Sequence, residues 1–288
     1  MTQRSSLSVA IILCAVILES FVWNQIIFHR PFMQSRVHFL DVGQGDSELL
    51  ELPGGVRMIT DAGPDASVIS ALEHVMPASR KYIDVAFISH PQLDHYNGFN
   101  SILERYGLGA ILLTGRDADN NDPAWAHLKA SAKQKHIPLI PIMAGDRVLS
   151  GKTTIEILSP DSNYIQSGEL NDTSVIERIL TPEFTALFTG DIDAPLEEYL
   201  ARNHNIAADI LKVSHHGSRF SSSPIFLAKV DPKVTAIEVG AKNHYGHPGK
   251  ETLERIGLLA STHLFRTDLN GTITVTAKDG TLQVYTER

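Results

Sequence analysis

Four times along this chain a short apolar run, suited to a buried strand, breaks off into a loop carrying histidine or aspartate. Residues 83–89 lead into His90-Pro91-Gln92-Leu93-Asp94-His95, and 184–190 into Asp191-Ile192-Asp193. Residues 208–213 lead into Ser214-His215-His216-Gly217-Ser218, and 233–239 are followed by Asn243-His244-Tyr245-Gly246-His247. One such match means little, because a histidine at a strand end is usually just a satisfied polar residue. Adjacent histidines also serve as caps, although Ser221 or Ser222 could cap the helix that follows and leave His215 and His216 free. Four matches are hard to explain by packing. Imidazoles and carboxylates emerging from short loops can converge on one point, as a divalent metal requires, and His90, Asp94 and His95 form the sharpest group.

The rest of the pattern alternates short strands with helices. Runs at 36–40, 47–52 and 56–60, with a Pro53-Gly54-Gly55 turn, read as an antiparallel meander ending at Asp61. Helical spacing at 66–75, 97–106, 123–135, 194–202, 223–229 and 250–259 is interleaved with strands at 110–114, 153–158 and 174–180, near 264, and at 272–276 and 282–285. No repeat or low-complexity linker interrupts this, so residues 36–288 read as one domain of sheets with helices on their outer faces. No Gly-x-Gly-x-x-Gly, P-loop or Gly-x-Ser-x-Gly element is present, which removes the common nucleotide-binding and serine-hydrolase readings. The formal net charge of −8 argues against a basic surface that coats nucleic acid, while leaving room for a local basic cleft. Cys14 is the single cysteine, so there is no intrachain disulfide and no thiolate cluster.

Residues 1–35 differ from the remainder. The apolar run 7–18 is shorter than the roughly 20 residues of a spanning helix, and extending it to Phe28 puts Glu19 near the midplane at a cost of ~3 kcal/mol. There is no clear small-x-small cleavage site after Leu18, and Leu13 is too bulky for a lipoprotein signal at Cys14. A buried core helix is the plain alternative. The reading adopted is a weak, uncleaved membrane anchor, whose flanking charges (Arg4 against Arg30 and Arg36) do not set its direction.

The His-x-x-x-Asp-His loop at 90–95, Gly190-Asp191 and the His-His-Gly-Ser at 215–218 resemble the metal-binding motifs of the metallo-β-lactamase superfamily. Residues 39–47, Thr60-Asp61-Ala62-Gly63, Asn171-Asp172-Thr173-Ser174 and Tyr245-Gly246-His247-Pro248 resemble the narrower group of ComEC-type competence (DNA-uptake) proteins. The matches run from about Arg36 to the C-terminus. The resemblance implies an α/β fold, a four-layer αββα sandwich with its metal site at one edge of the two sheets. It implies that His90 serves a first metal, that Asp94, His95 and His215 or His216 serve a second, and that Asp191 bridges them. Asp61 would orient a ligand histidine, Asp41, Gln44 and Asp46 would form a loop beside the site, and His247 would face the substrate. Ordinary turn chemistry also accounts for the glycines and aspartates of that loop. The chain departs from the pattern at Gln92, where relatives carry His or Asp, and at Asn171-Asp172, where a third histidine is missing and Asp172 is the best substitute.

The function expected is that of a metal-dependent hydrolase using one or two Zn²⁺ or Mn²⁺ ions on a phosphodiester substrate, DNA or a nucleotide ester. Asp191 would position the nucleophile, and His216 or His247 would protonate the leaving oxygen. Lys212, Ser218, Arg219, Lys242, Asn243, His244, Tyr245 and Lys250 would contact substrate, and a separate chain would supply any channel. The rivals are a non-catalytic binding or scaffolding remnant, favoured by Gln92, and an esterase of phosphorylated surface glycans.

Overall fold

Alternation along the strands decides the layering. Ala86 and Ile88 pack against helices while Phe87 between them faces a second sheet, and Ile111, Leu112 and Leu113 repeat the pattern. In the second half Ala186 and Phe188 face the first sheet, and Leu187 faces helices on the other side. Three cores therefore separate four layers.

The computed structural model describes residues 3–28, 34–77, 79–119 and 122–288, and in the first helix the side chains of 11–23 alone. The elements are α1 (Gln3–Phe28), β1 (Arg36–Phe39), β2 (Glu48–Glu51), β3 (Arg57–Thr60), α2 (Ser67–Val75), β4 (Tyr82–Ile88), α3 (Leu93–Tyr96), α4 (Gly98–Arg105), β5 (Gly107–Leu113), α5 (Pro123–Gln134) and β6 (Leu139–Pro141). They continue with β7 (Arg147–Ser150), β8 (Thr153–Ser159), β9 (Ile176–Leu180), β10 (Thr185–Phe188), α6 (Ala194–Asn203), β11 (Ile210–Lys212), α7 (Pro224–Val230), β12 (Val234–Ile237) and α8 (Lys250–Gly257). The last are β13 (His263–Arg266), α9 (Thr267–Asn270), β14 (Ile273–Lys278) and β15 (Thr281–Thr286).

One sheet has the order β15-β14-β1-β2-β3-β4-β5-β6, the other β13-β12-β11-β10-β9-β8-β7. Both change from antiparallel to parallel along their width: β3 to β6 are parallel in the first sheet, β10 to β13 in the second. Residues Asp61, His90, Asp191, His216 and Glu238 all follow the carboxyl ends of these parallel strands, where open α/β sheets bind ligands. The antiparallel neighbours β2 and β9 begin at that same edge, which brings in the loops 41–47 and 171–175.

The four-layer sandwich expected from the sequence is present. Edge strands β6 and β7 were not anticipated; β6 follows Pro138 and ends on Pro141, and Leu149 of β7 is exposed, so neither carries the signal of a buried face. Asp94 and His95 lie on α3 itself, a helical turn ahead of α4, and not in a loop before it. The expected anchor, residues 1–35, falls partly outside the described residues. In α1 the side chains of 11–23 are exposed, Glu19 among them, and no helix among the described residues is long and apolar enough to cross a membrane.

Candidate metal centre

Short hydroxyl and carboxylate contacts set the direction of each central imidazole. Asp61 follows β3 with a left-handed backbone (φ 54°) and accepts hydrogen bonds from Ser89 N (2.8 Å) and Ser89 Oγ (2.5 Å). It also accepts from His95 Nδ1 at 2.7 Å. Ser89 has spent its one proton on Asp61, so its oxygen accepts from His90 Nδ1 at 2.9 Å. His216 Nδ1 donates to the Glu238 carbonyl at 3.0 Å and lies 3.1 Å from Asp46 Oδ1. In all three rings Nδ1 is thus the donor, which aims Nε2 at the cluster and leaves it for a cation, proton or metal. Those Nε2 atoms, with Asp191 Oδ1, are buried and have no hydrogen-bond partner among the described residues.

The bare atoms converge. His95 Nε2 is 3.3 Å from Asp191 Oδ2, and His216 Nε2 is 3.4 Å from that oxygen and 3.4 Å from Asp94 Oδ2. His95 Nε2 lies 3.9 Å from Asp94 Oδ1. A tetrahedral zinc ion about 2.0–2.1 Å from its ligands would space them about 3.3–3.4 Å apart. The donor set therefore fits a divalent cation. His90 joins the same cluster through His95 and Asp191.

Electrostatics say the same. Burial would lower His95 and His216, yet the surrounding carboxylates, Asp191 foremost, hold His95 well above its ordinary value and His216 at about 10. Burial also opposes the ionised form of Asp191 and Asp94, but the histidines keep both well below the usual carboxylate range. A concentration of carboxylate charge that draws protons onto imidazoles would equally hold a cation in their place. His90 differs: burial, with His95 beside it, pushes it down to about 4.

Two glycines hold α3 in place. A Cβ on Gly45 would lie 2.3 Å from the Asp94 carbonyl oxygen, and one on Gly98 would lie 1.8 Å from that of Ala62. Only hydrogen fits at either contact, so α3 is clamped between loop 41–46 and the turn after β3.

Several residues are not where the sequence reading put them. His216 points inward; His215 is half-buried at the rim, pairs with Asp193 (3.1 Å) and packs near His247 at 5.7 Å between ring centroids. His216 thus lies among the candidate metal ligands. Lys212, expected to bind phosphate, is fully buried: its ammonium pairs with Asp46 and donates to the Gly190 carbonyl at 3.0 Å. It cannot meet a substrate and instead braces the interior. Asp172 turns away to accept from Ser167 Oγ at 2.7 Å and joins no metal-holding group among the described residues. Gln92 bonds to Asn171, with Nε2 to Oδ1 at 2.5 Å. Asp41 pairs with Arg288 away from the cluster, Gln44 accepts from Gly240 N at 3.2 Å, and Ser218 is buried. The cap of α7 is Ser223, so the histidines are free of that role.

Two cavities flank segment 240–248. One of about 500 Å³ is lined by Gln44, Leu93, Asp94, Lys242, Asn243, His244 and Tyr245, and so opens at a candidate ligand. The other, about 380 Å³, is lined by Arg219, His247 and Lys250. Tyr245 lines both cavities and stacks on His247 at 5.9 Å between ring centroids. Reading the sequence missed Glu238, which accepts from Ser47 N at 3.0 Å and is pushed up to about 8 by burial and then by Asp46. Glu238 stands in a strand run, 233–239, that also holds Lys233 and Thr235, and nothing in that pattern tells an inward acid from a solvent-facing one.

Two packed sheets, helices on both outer faces and this edge cluster define a protein of the metallo-β-lactamase fold. YhfI from Bacillus subtilis, described as a metallo-β-lactamase fold protein, superposes with a TM-score of 0.55 at 16% identity, over 88% of this chain and 100% of that one. Zn²⁺-bound PqqB from Methylobacterium extorquens gives 0.52 at 12% identity, over 80% and 87%. The diiron β-hydroxylase CmlA from Streptomyces venezuelae gives 0.53 at 12%, over 85% and 54%. These likenesses show the fold.

Within that fold the chain resembles the competence proteins. It is 25% identical over 282 residues to ComE operon protein 3 of Bacillus subtilis, covering 90% of this chain and 36% of that protein. It is 27% identical over 249 residues to competence protein ComA of Neisseria gonorrhoeae, covering 84% and 32%. The chain thus spans about a third of the length of these relatives. No protein-family model matches it.

Proposed function

We propose that the protein is a metal-dependent phosphodiesterase acting on DNA or nucleotide esters. The observation that carries this reading is the convergence of bare, buried Nε2 atoms and carboxylates at ligand spacing, open on one side to a cavity. A bound Zn²⁺ or Mn²⁺ would supply Lewis acidity toward a phosphoryl oxygen and make water nucleophilic near neutral pH. Asp94, His95, Asp191 and His216 would hold it. Asp61, the Glu238 carbonyl and Ser89 keep the ligand rings in register. At the rim, burial would lower His215, but the bond to Asp193 and the charge of Asp191 raise it; it is the better-placed proton donor, with His247 beside it. Lys242 lines the cavity at Asp94, and Arg219 and Lys250 line the other, so both offer cations to a phosphate chain on an otherwise acidic body.

The likeness to competence proteins supports DNA as substrate. The exposed apolar side chains of residues 11–23 support attachment to a membrane, and the likeness to competence proteins is the ground for placing the domain on the extracytoplasmic side. A second reading has one observation in its favour: four protein ligands can close a tetrahedral ion completely, as in structural sites. In that case the protein is a binding or scaffolding component. The assay that decides follows cleavage of single- and double-stranded DNA and a nitrophenyl phosphodiester with added Mn²⁺ or Zn²⁺. The parent should be active and Asp94→Ala inactive. Equal activity in both would mark a contaminating nuclease, and a folded, metal-loaded parent with no activity would select the second reading.

A further inference from the structure

We infer that the protein holds a single ion, bound by Asp94, His95, Asp191 and His216, and that the Gln92–Asn171 amide pair stands where a second ion would need ligands beside His90. This rests on the metal-centre reading above but not on hydrolysis. A second ion next to His90 needs donors besides the two it shares with the first. Among the described residues, the only metal-holding group that contains His90 completes itself with His95 and Asp191, both already used. Gln92, two residues after His90, is an amide engaged with the amide of Asn171, Nε2 to Oδ1 at 2.5 Å, and the turn that carries Asn171 reaches His90 through Ser174. A neutral amide is a feeble ligand for a transition metal, and here its donor nitrogen and acceptor oxygen satisfy one another. Asp172, the adjacent carboxylate, is turned to Ser167.

His90 itself is built to stay. Ser174 Oγ donates to the Asn171 carbonyl at 2.7 Å, so it accepts from His90 Nδ1 (3.4 Å) as Ser89 does. The same 171–174 turn therefore holds both the amide partner and the serine behind His90. His90 keeps a bare Nε2 as a hydrogen-bond acceptor next to the ion, outside its ligand set.

The test is metal content. Full-length protein is equilibrated with excess zinc, freed of unbound metal by gel filtration, and analysed for zinc per chain. We expect one in the parent, one in His90→Ala, and well under one in His216→Ala, with circular dichroism confirming the fold of each. Gln92→Asp/Asn171→His should rise toward two. Two ions in the parent, or loss of the ion from His90→Ala, would overturn the assignment. A folded double variant that stays at one would remove the amide pair from the explanation. None of these counts depends on turnover, so a failed hydrolase reading leaves them unchanged.

Discussion

Buried carboxyl groups away from the metal ligands give a sharp test of the fold at the level of single residues. Glu177 of β9 is buried and accepts from Thr60 Oγ1 at 2.9 Å; burial pushes it up to about 8. Its folded pKa lies above the unfolded one, so the native state binds this proton more tightly. Its contribution is fully present below pH 4.5 and is lost as pH rises toward 8. Glu177→Gln, which keeps the acceptor oxygen for Thr60, should flatten the decline of stability across that window by at most about 1.4 kcal/mol per pH unit. Urea unfolding at several pH values measures it, and parallel curves for parent and variant would show that Glu177 does not carry the proton. Single residues also mark the limit of reading the sequence. His90, Asp94, His95, Asp191 and one of His215 and His216 were visible as a group because each follows a strand. Which histidine turns inward depends on left-handed backbone at both (φ 52° and 51°), which adjacent identical residues cannot reveal. Lys212 looked available because it flanks the loop of His215 and His216, yet it closes β11 and its buried side chain ends at Asp46.

At the scale of elements, strand ends and helix starts were legible because the apolar periods change there, whereas the half-exposed edges β6 and β7 carry no period to read. The clamp on α3 was equally silent, since a glycine in Asn97-Gly98 looks like any helix boundary. Gly98→Ala forces a methyl into the Ala62 carbonyl, and Ala62 follows Asp61, the residue that orients His95. The variant should lose about 1–3 kcal/mol of stability and bind zinc more weakly. Thermal melts and chelator competition read the two effects. An unchanged zinc affinity despite lower stability would show that the turn after β3 does not transmit to His95.

The whole molecule pairs an acidic body with an apolar N-terminal helix whose described side chains pack on nothing. A tagged full-length chain should sediment with membranes, and removal of residues 1–35 should release it. Recovery of the full chain in the soluble fraction would overturn the attachment, and protease shaving of spheroplasts reports the side. The topology holds one more consequence, for synthesis. β1, among the first strands made, lies between β2 and β14, and β14 is among the last. Asp94 and His95 come from the first half of the chain, Asp191 and His216 from the second. A nascent chain can therefore complete its first sheet only after β14, and gather the four ligands only after His216, has left the ribosome, and until β14 arrives one edge of β1 stays open to whatever other strand it meets.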